Sequence, residues 1–266
     1  MVSNKIRSYV HIDEIMRLKF NKEIEFFIKK FFFSESFLLK RRLERSIKKR
    51  DENEIELLKR LIKPGTDSID VGVYRGVYSY EMSKYSKKVH SFEPNPLIFK
   101  YINKNLKKIS NNIDLYNLAL SNENRVLDLK IPIRNKKFDK KNYEEHYLMG
   151  RATIHELNNF QNYEKFKINS KKIDDFNFDN EISFIKIDVE GHEIQVIKGG
   201  KLIIKKNKPV LLVEIEERHS KKKVHHSIDY INELGYKSYI YDENNLKKTS
   251  ELKNMKLFTN FIFLPH

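Results

Sequence analysis

The sequence predicts an α/β fold built on one mostly parallel sheet with helices on both faces. Three observations carry that expectation. From Thr66 onward, strand-like and helix-like segments alternate. The run PVLLVEI is apolar almost throughout, as a strand buried on both sides should be. Finally, SIDVGVYRGVYSYEMSKYSKKVHSFEPNP, residues 68–96, reads as a complete βαβ unit: a strand ending in an aspartate, a loop with two glycines, a helix, and a second strand ending in a glutamate.

The elements follow in chain order. Residues 4–63 read as two or three basic helices, because apolar residues recur every three or four positions in IDEIMRLKFNKEIEFFIKKFFF and FLLKRRLERSIKKRDENEIELLKRLI. Pro64 and Gly65 stop them. The stripe FFIKKFFF is expected to pack on the neighbouring domain, with peripheral contact to a membrane surface as the alternative. Strands are expected at 67–71, 88–93, 113–120, 182–189, 209–215, 237–242 and 258–264, and helices at 76–86, 96–108, 191–199 and 221–234. The chain thus divides into a basic helical extension, 1–65, and an α/β domain, 66–266. The domain carries a polar insertion at about 132–165, a length at which loops are functional or disordered; here it reads as a substrate lid or a surface insertion.

Composition sets outer bounds. At 266 residues with 39% hydrophobic side chains, the chain can bury a sizeable core. The net charge of +15 would draw an anionic partner, yet Lys, Asn, Ile, Phe and Tyr are abundant together, as AT-rich coding alone produces. The absence of cysteine excludes disulfides, thiolate metal sites and cysteine nucleophiles. The first 20 residues lack the apolar core of a secretory signal, and no run reaches the roughly 18 apolar residues that cross a bilayer. A cytoplasmic location is the expectation.

In open α/β sheets, ligands bind beyond the carboxyl ends of the strands, where helix N-termini offer free N–H groups. Asp70 ends the first strand, Gly72 turns the chain and Gly76 opens the helix. Their G-x-x-x-G spacing is neither the G-x-G-x-x-G of a pyrophosphate cradle nor a phosphate loop. Glu93, at the end of the second strand, is suited to accept both ribose hydroxyls of an adenosine. S-adenosylmethionine meets these requirements: it brings an adenosine and an amino acid end but no pyrophosphate, and Asp70 with the 72–78 turn can receive that end.

IDVGVYRGVYS, SFEPNP, LALSN, FIKIDVEGHEIQVIKGG and KPVLLVEI, in this order over about residues 66–217, resemble the FkbM-type S-adenosylmethionine-dependent methyltransferases. The resemblance implies a Rossmann-like methyltransferase fold with seven strands, the last antiparallel. It also implies O-methylation of hydroxyls, often on sugars of polysaccharides, glycolipids or natural products. Where the family usually has D-x-G-A-N, this chain has Val73 and Tyr74, so Tyr74 stands in the cofactor turn in place of Asn. Asn95 of the Pro-Asn-Pro turn, Asn117 and the small Ala119 are counted with Asp70, Gly72, Tyr74, Gly76 and Glu93 as cofactor-binding residues.

An alcohol is a poor nucleophile, so the site needs positioning and a group to take the hydroxyl proton. If the KIDVEGHE strand runs through 190, alternation puts Lys186, Asp188 and Glu190 on one side. Asp188 is then the expected general base or hydroxyl anchor, with Glu190 its partner and His192 a further proton acceptor. Two such carboxylates cannot both ionise freely unless a cation intervenes, which Lys186 or a divalent metal would supply. Lys186 and Glu214, the polar end of PVLLVEI, are the expected substrate-binding residues. The competing reading is a basic RNA-binding protein, or an RNA methyltransferase, using KRRLERSIKKR and EERHSKKKVHH on phosphates; no aromatic stacking motif accompanies them, and nucleic acid is not the expected partner.

Overall fold

Strand β1, Asp67–Val71, is buried at every residue and lies at the heart of an eight-stranded sheet. The computed structural model describes residues 32–49, 52–133, 152, 154, 162–217, 224–252 and 254–266. Beside β1 run β2, Val89–Phe92, and β3, Ile113–Tyr116, on one side, and β7, Ile182–Ile187, and β8, Val210–Glu214, on the other, all parallel. The sheet continues through β11, Asn260–Pro265, to β9, Tyr236–Asp242, and the edge strand β10, Asn245–Lys248. Strand β11 is antiparallel to both β8 and β9, as expected of the last strand.

Alternation along the strands sorts the core into two layers. Ile69 and Val71, Ile185 and Ile187, and Leu211 and Val213 face one side, with Val196, Ile197, Ile204 and Ile228. Phe184, Leu212 and Ile262 face the other, with Leu39, Leu43, Met82 and Ile102. The helices of that second side are α1, Glu35–Lys49, the short α2, Leu58–Leu61, α3, Val77–Met82, and α4, Pro96–Leu106. On the first side lie α5, Glu193–Gly199, α6, Lys201–Asn207, and α7, Val224–Asn232. The basic helix α1 thus joins the core through Leu39 and Leu43, one turn apart.

Several elements differ from expectation. The sheet has an eighth strand, β10, which pairs with β9 in a hairpin. The strand expected at 113–120 breaks at Asn117 and Leu118, and its end, β4 (Ala119–Leu120), joins a separate three-stranded sheet with β5, Val126–Pro132, and β6, Tyr163–Lys171. Strands β5 and β6 pair antiparallel and flank the expected insertion, most of which lies outside the described residues. In β6, YEKFKINSK, charged and apolar residues alternate with little burial. Helix α6 was not expected, and α3 stops at Met82 rather than 86. The helices expected before residue 32 and the centre of EERHSKKKVHH also lie outside the described residues. No helix among the described residues is long and apolar enough to cross a membrane.

Beyond their last paired residues, β1 and β7 stay in contact. The Asp188 N–H donates to Val71 O at 2.9 Å, and Gly72, at φ +86°, lies so close that a Cβ there would meet Asp188 O at 1.8 Å. Gly65 also has a positive φ, +80°, but open space around it. Gly65→Ala should therefore cost roughly 1–2 kcal/mol for the left-handed backbone alone. Gly72→Ala should cost at least about 3 kcal/mol, because backbone must also move. Urea unfolding of the two variants measures the difference; equal losses would remove the close approach as a constraint.

Candidate functional site

The turn after β1 is held by backbone and by one carboxylate. Gly72 N–H donates to Phe92 O at 3.0 Å and Gly76 N–H to Val73 O at 2.8 Å. Glu93, 5% exposed at the end of β2, accepts from Tyr74 N at 2.8 Å through one oxygen and from Asn95 N at 2.8 Å through the other. Burial pushes its carboxyl up to about 7 against the pull of these two amides. Tyr74 has φ 48°, the left-handed region that Asn adopts more readily than a bulky residue, which fits the Asn usual there. Its ring lies beneath the Arg75 guanidinium, 5.1 Å from it.

A second group of carboxyls comes from the ends of β7 and β8. Strand β7 stops at Ile187, short of the expected end, and Glu190 and Gly191 turn the chain with positive φ. Asp188, Val189 and Glu190 consequently all line the cleft, rather than alternating. Beneath them Lys186, 6% exposed, donates to Asp188 Oδ2 at 3.0 Å and to Gly72 O at 3.4 Å, with its ammonium 4.8 Å from the Tyr78 ring. Burial disfavours that charge, but Asp188, Asp70 and Glu52 outweigh it and hold the lysine pKa above its ordinary value. Glu214, the last residue of β8, lines the cleft together with Asp188. Burial and the neighbouring Asp188 carboxyl raise its pKa well above the ordinary carboxylate range, against the opposing pull of Lys186. Asp188 is thus held by Lys186, and Glu190, the partner expected from the sequence, lines the same cleft.

These two groups face one cleft of about 240 Å³. Of the residues expected at the site, Gly72, Tyr74, Glu93, Ala119, Asp188, Glu190 and Glu214 line it together. The others do not. Asp70 is fully buried on the face of α3, where it accepts from Ser79 Oγ at 2.5 Å; burial lifts its carboxyl to about 6. Gly76 caps α3 two residues beyond Tyr74, off the wall. Asn95 caps α4, its Oδ1 accepting from Leu97 N at 3.0 Å. Asn117 donates to the carbonyls of Glu93 and Pro94, holding the end of β2 from outside. Lys186 is a buried strut rather than a substrate contact. His192, 8% exposed, bonds Ser121 at 2.9 Å from its Nε2 and is not among the described residues that line the cleft.

Sequence reasoning missed the apolar wall, formed by Ile98 of α4, Leu118 and Leu120 around Ala119, Leu129 of β5, and Ile154. Apolar residues in strands and helices carry no signal that separates a ligand wall from core. The chemistry of the described lining is selective: four carboxyls, Glu93, Asp188, Glu190 and Glu214, and among the described residues no Lys, Arg or His. Such a cleft repels phosphate and suits a cation with an apolar, flat portion. Among the described residues, no three His, Cys, Asp or Glu side chains converge to hold a metal ion.

A family model, the methyltransferase FkbM domain, matches residues 70–238, more than half of the chain and all of this site's β1 to β8 framework beyond residue 69. The chain belongs to the FkbM methyltransferase family. Among solved structures, an FkbM methyltransferase from Methylobacillus flagellatus KT is 15% identical over 79% of this chain, with TM-score 0.47; the chain spans 50% of that protein's length. A TehB-like SAM-dependent methyltransferase from Corynebacterium glutamicum is 9% identical, with TM-score 0.44 over 87% of this chain and 98% of the other. An rRNA methylase from Streptococcus thermophilus is 10% identical, with TM-score 0.42 over 79% and 91% of the two chains. No curated protein gives a significant match.

In this FkbM chain Glu93 binds its proton more tightly folded, at about 7, than at its ordinary 4.5. Its contribution to stability is therefore fully present below pH 4.5 and is lost as pH rises to about 7. Between pH 5 and 8 the wild type should lose about 2–3 kcal/mol relative to Glu93→Gln, which cannot titrate. Paired urea titrations at the two pH values check this; parallel behaviour of the two proteins would show that Glu93 carries no raised pKa.

Proposed function

We propose that this FkbM protein is an S-adenosylmethionine-dependent O-methyltransferase acting in the cytoplasm on a sugar hydroxyl of a polysaccharide, glycolipid or related glycan. The observation that carries the reading is a cleft whose described lining joins apolar residues to four carboxyls, Glu93 from the end of β2 and Asp188, Glu190 and Glu214 from the ends of β7 and β8, without Lys, Arg or His. S-adenosylmethionine, a cationic adenosine derivative without phosphate, fits that donor set, and it would supply a methyl group on positively charged sulfur.

Glu93 is the residue for the ribose. Its oxygens each accept one backbone amide and keep a second lone pair for a hydroxyl donor. Ala119, Leu118 and Ile98 give the base an apolar slot. On the acceptor side Asp188, fixed through Oδ2 by Lys186, anchors the hydroxyl that is to be methylated, and Glu190 and Glu214 offer further acceptors for the hydroxyls of a sugar. Such anchoring can supply roughly 7–11 kcal/mol of the barrier reduction. A nucleic-acid acceptor is disfavoured at this cleft because a phosphate would meet carboxyls there.

Calorimetry with S-adenosylmethionine should show binding that Glu93→Gln weakens roughly 10–100-fold, through loss of charge-assisted bonds to the ribose. Asp188→Asn should leave that affinity within about threefold while abolishing transfer of labelled methyl to glycan hydroxyls, followed as O-methyl sugar by mass spectrometry. Unchanged affinity in the first variant would take Glu93 out of the site, and surviving transfer in the second would do the same for Asp188.

A further inference from the structure

The ribbon of β5 and β6 has two unlike faces. Alternation turns Leu129, Ile131 and Ile168 inward, where all are buried, and Leu129 reaches the cleft wall. The opposite face of β6 presents Tyr163, Lys165, Lys167, Asn169 and Lys171, every one of them exposed. From β5, pairing sets Lys130 directly across from Lys165, and Asp128 across from Lys167. Among the described residues of this face, four lysines therefore meet one aspartate, which Lys167 approaches to 2.7 Å and Lys165 only to 4.0 Å. A lysine directly opposite a lysine destabilises an antiparallel pair, so the fold bears a cost at Lys130 and Lys165. Their ammoniums lie 5.8 Å and 5.9 Å from the centre of the Tyr163 ring, which is itself 37% exposed.

We propose that this outer face of the ribbon docks an acidic glycan, the polymer whose hydroxyl the neighbouring cleft methylates. The inference deepens, and rests on, the reading of the cleft as a site of sugar methylation, and it names the acceptor as a chain whose sugars carry carboxylates. Charge complementarity carries it. A carboxylate between Lys130 and Lys165 would relieve their repulsion, and each ammonium brings three donors for its oxygens. Lys165, Lys167 and Lys171 recur every second residue, roughly 6–7 Å apart along the strand, so positive charge continues along an extended polymer. The Tyr163 ring offers an apolar face to the C–H side of a sugar ring. The cleft, with its four carboxyls, would repel the acidic groups of such a chain. Division of labour follows: the far face of the ribbon holds the charged sugars, and an uncharged hydroxyl enters the cleft. Because Leu129 and Lys130 are neighbours in one strand, the two surfaces are fixed to each other.

Calorimetric titration of the full chain at low salt tests this. A hexasaccharide of galacturonic acid is expected to bind at least about tenfold more tightly than maltohexaose, its neutral counterpart. Lys130→Gln with Lys165→Gln removes a like-charge pair, so it should keep the wild-type urea midpoint while weakening the acidic ligand roughly five- to tenfold. Tyr163→Ser, tested separately, should weaken it roughly two- to fivefold. Lys205→Gln with Lys206→Gln, an equal change of charge at exposed positions of α6, should alter affinity by less than about twofold. The proposal is overturned by absent binding, by equal affinity for maltohexaose, by equal weakening in the α6 variant, or by tighter binding of a hexamer of uridylate. S-adenosylmethionine titrated into the wild type tests the cleft by itself: no binding there overturns the reading of the cleft, whereas no binding of the acidic sugar overturns this inference alone.

Discussion

The site depends on the contact between the turn after β1 and the end of β7, clamped by one buried ammonium. Gly72 leaves room for nothing between its Cα and the Asp188 carbonyl, and the Asp188 N–H is tied to Val71. Lys186 then reaches up from the strand to hold both the Gly72 carbonyl and the Asp188 carboxylate. The turn after β1 and the Asp188 carboxylate, the two parts proposed to face cofactor and acceptor, are therefore parts of one rigid piece. Removing a partner from a buried ion pair is costly, since it leaves the other charge uncompensated. The same ammonium also limits how far Asp70 is pushed up, so one lysine organises the protonation of the buried acids around it.

The second half of the cleft is organised, among the described residues, by a carboxylate. Glu93 reaches back to the turn through Tyr74 N and forward to the helix start through Asn95 N, so the carboxylate proposed for the ribose doubles as the latch of the loop that shapes the cleft. Asn95 and Asn117 secure the same corner, one by capping α4 and the other by holding the carbonyls of Glu93 and Pro94. Preorganisation of this kind lowers the ordering that ligand binding must impose.

What could be read from the sequence followed a simple rule. Residues at strand ends were legible, because a carboxylate after an apolar strand has few places to go except the carboxyl edge of the sheet; Glu93, Asp188 and Glu214 all lie there. Residues inside strands were not, since a polar residue can face either layer. Asp70 and Lys186 point to the layer of α1, α3 and α4 rather than to the ligand, and only pairing register decides that. His192 and Asn95 start helices, where a side chain can serve the chain itself. The second sheet was illegible for another reason: β6 alternates charged with apolar residues at a half-exposed surface, and β4 is a fragment two residues long whose pairing with β6 is non-local.

The account's central claim is that one cleft joins a ribose-holding carboxylate to an acceptor-holding carboxyl pair. A crystal structure of the protein with S-adenosylhomocysteine tests it most directly. The claim predicts both ribose hydroxyls within hydrogen-bonding distance of Glu93 and the sulfur directed toward Asp188 and Glu214. An adenosine bound away from Glu93, or a sulfur turned from the β7 and β8 ends, would contradict it.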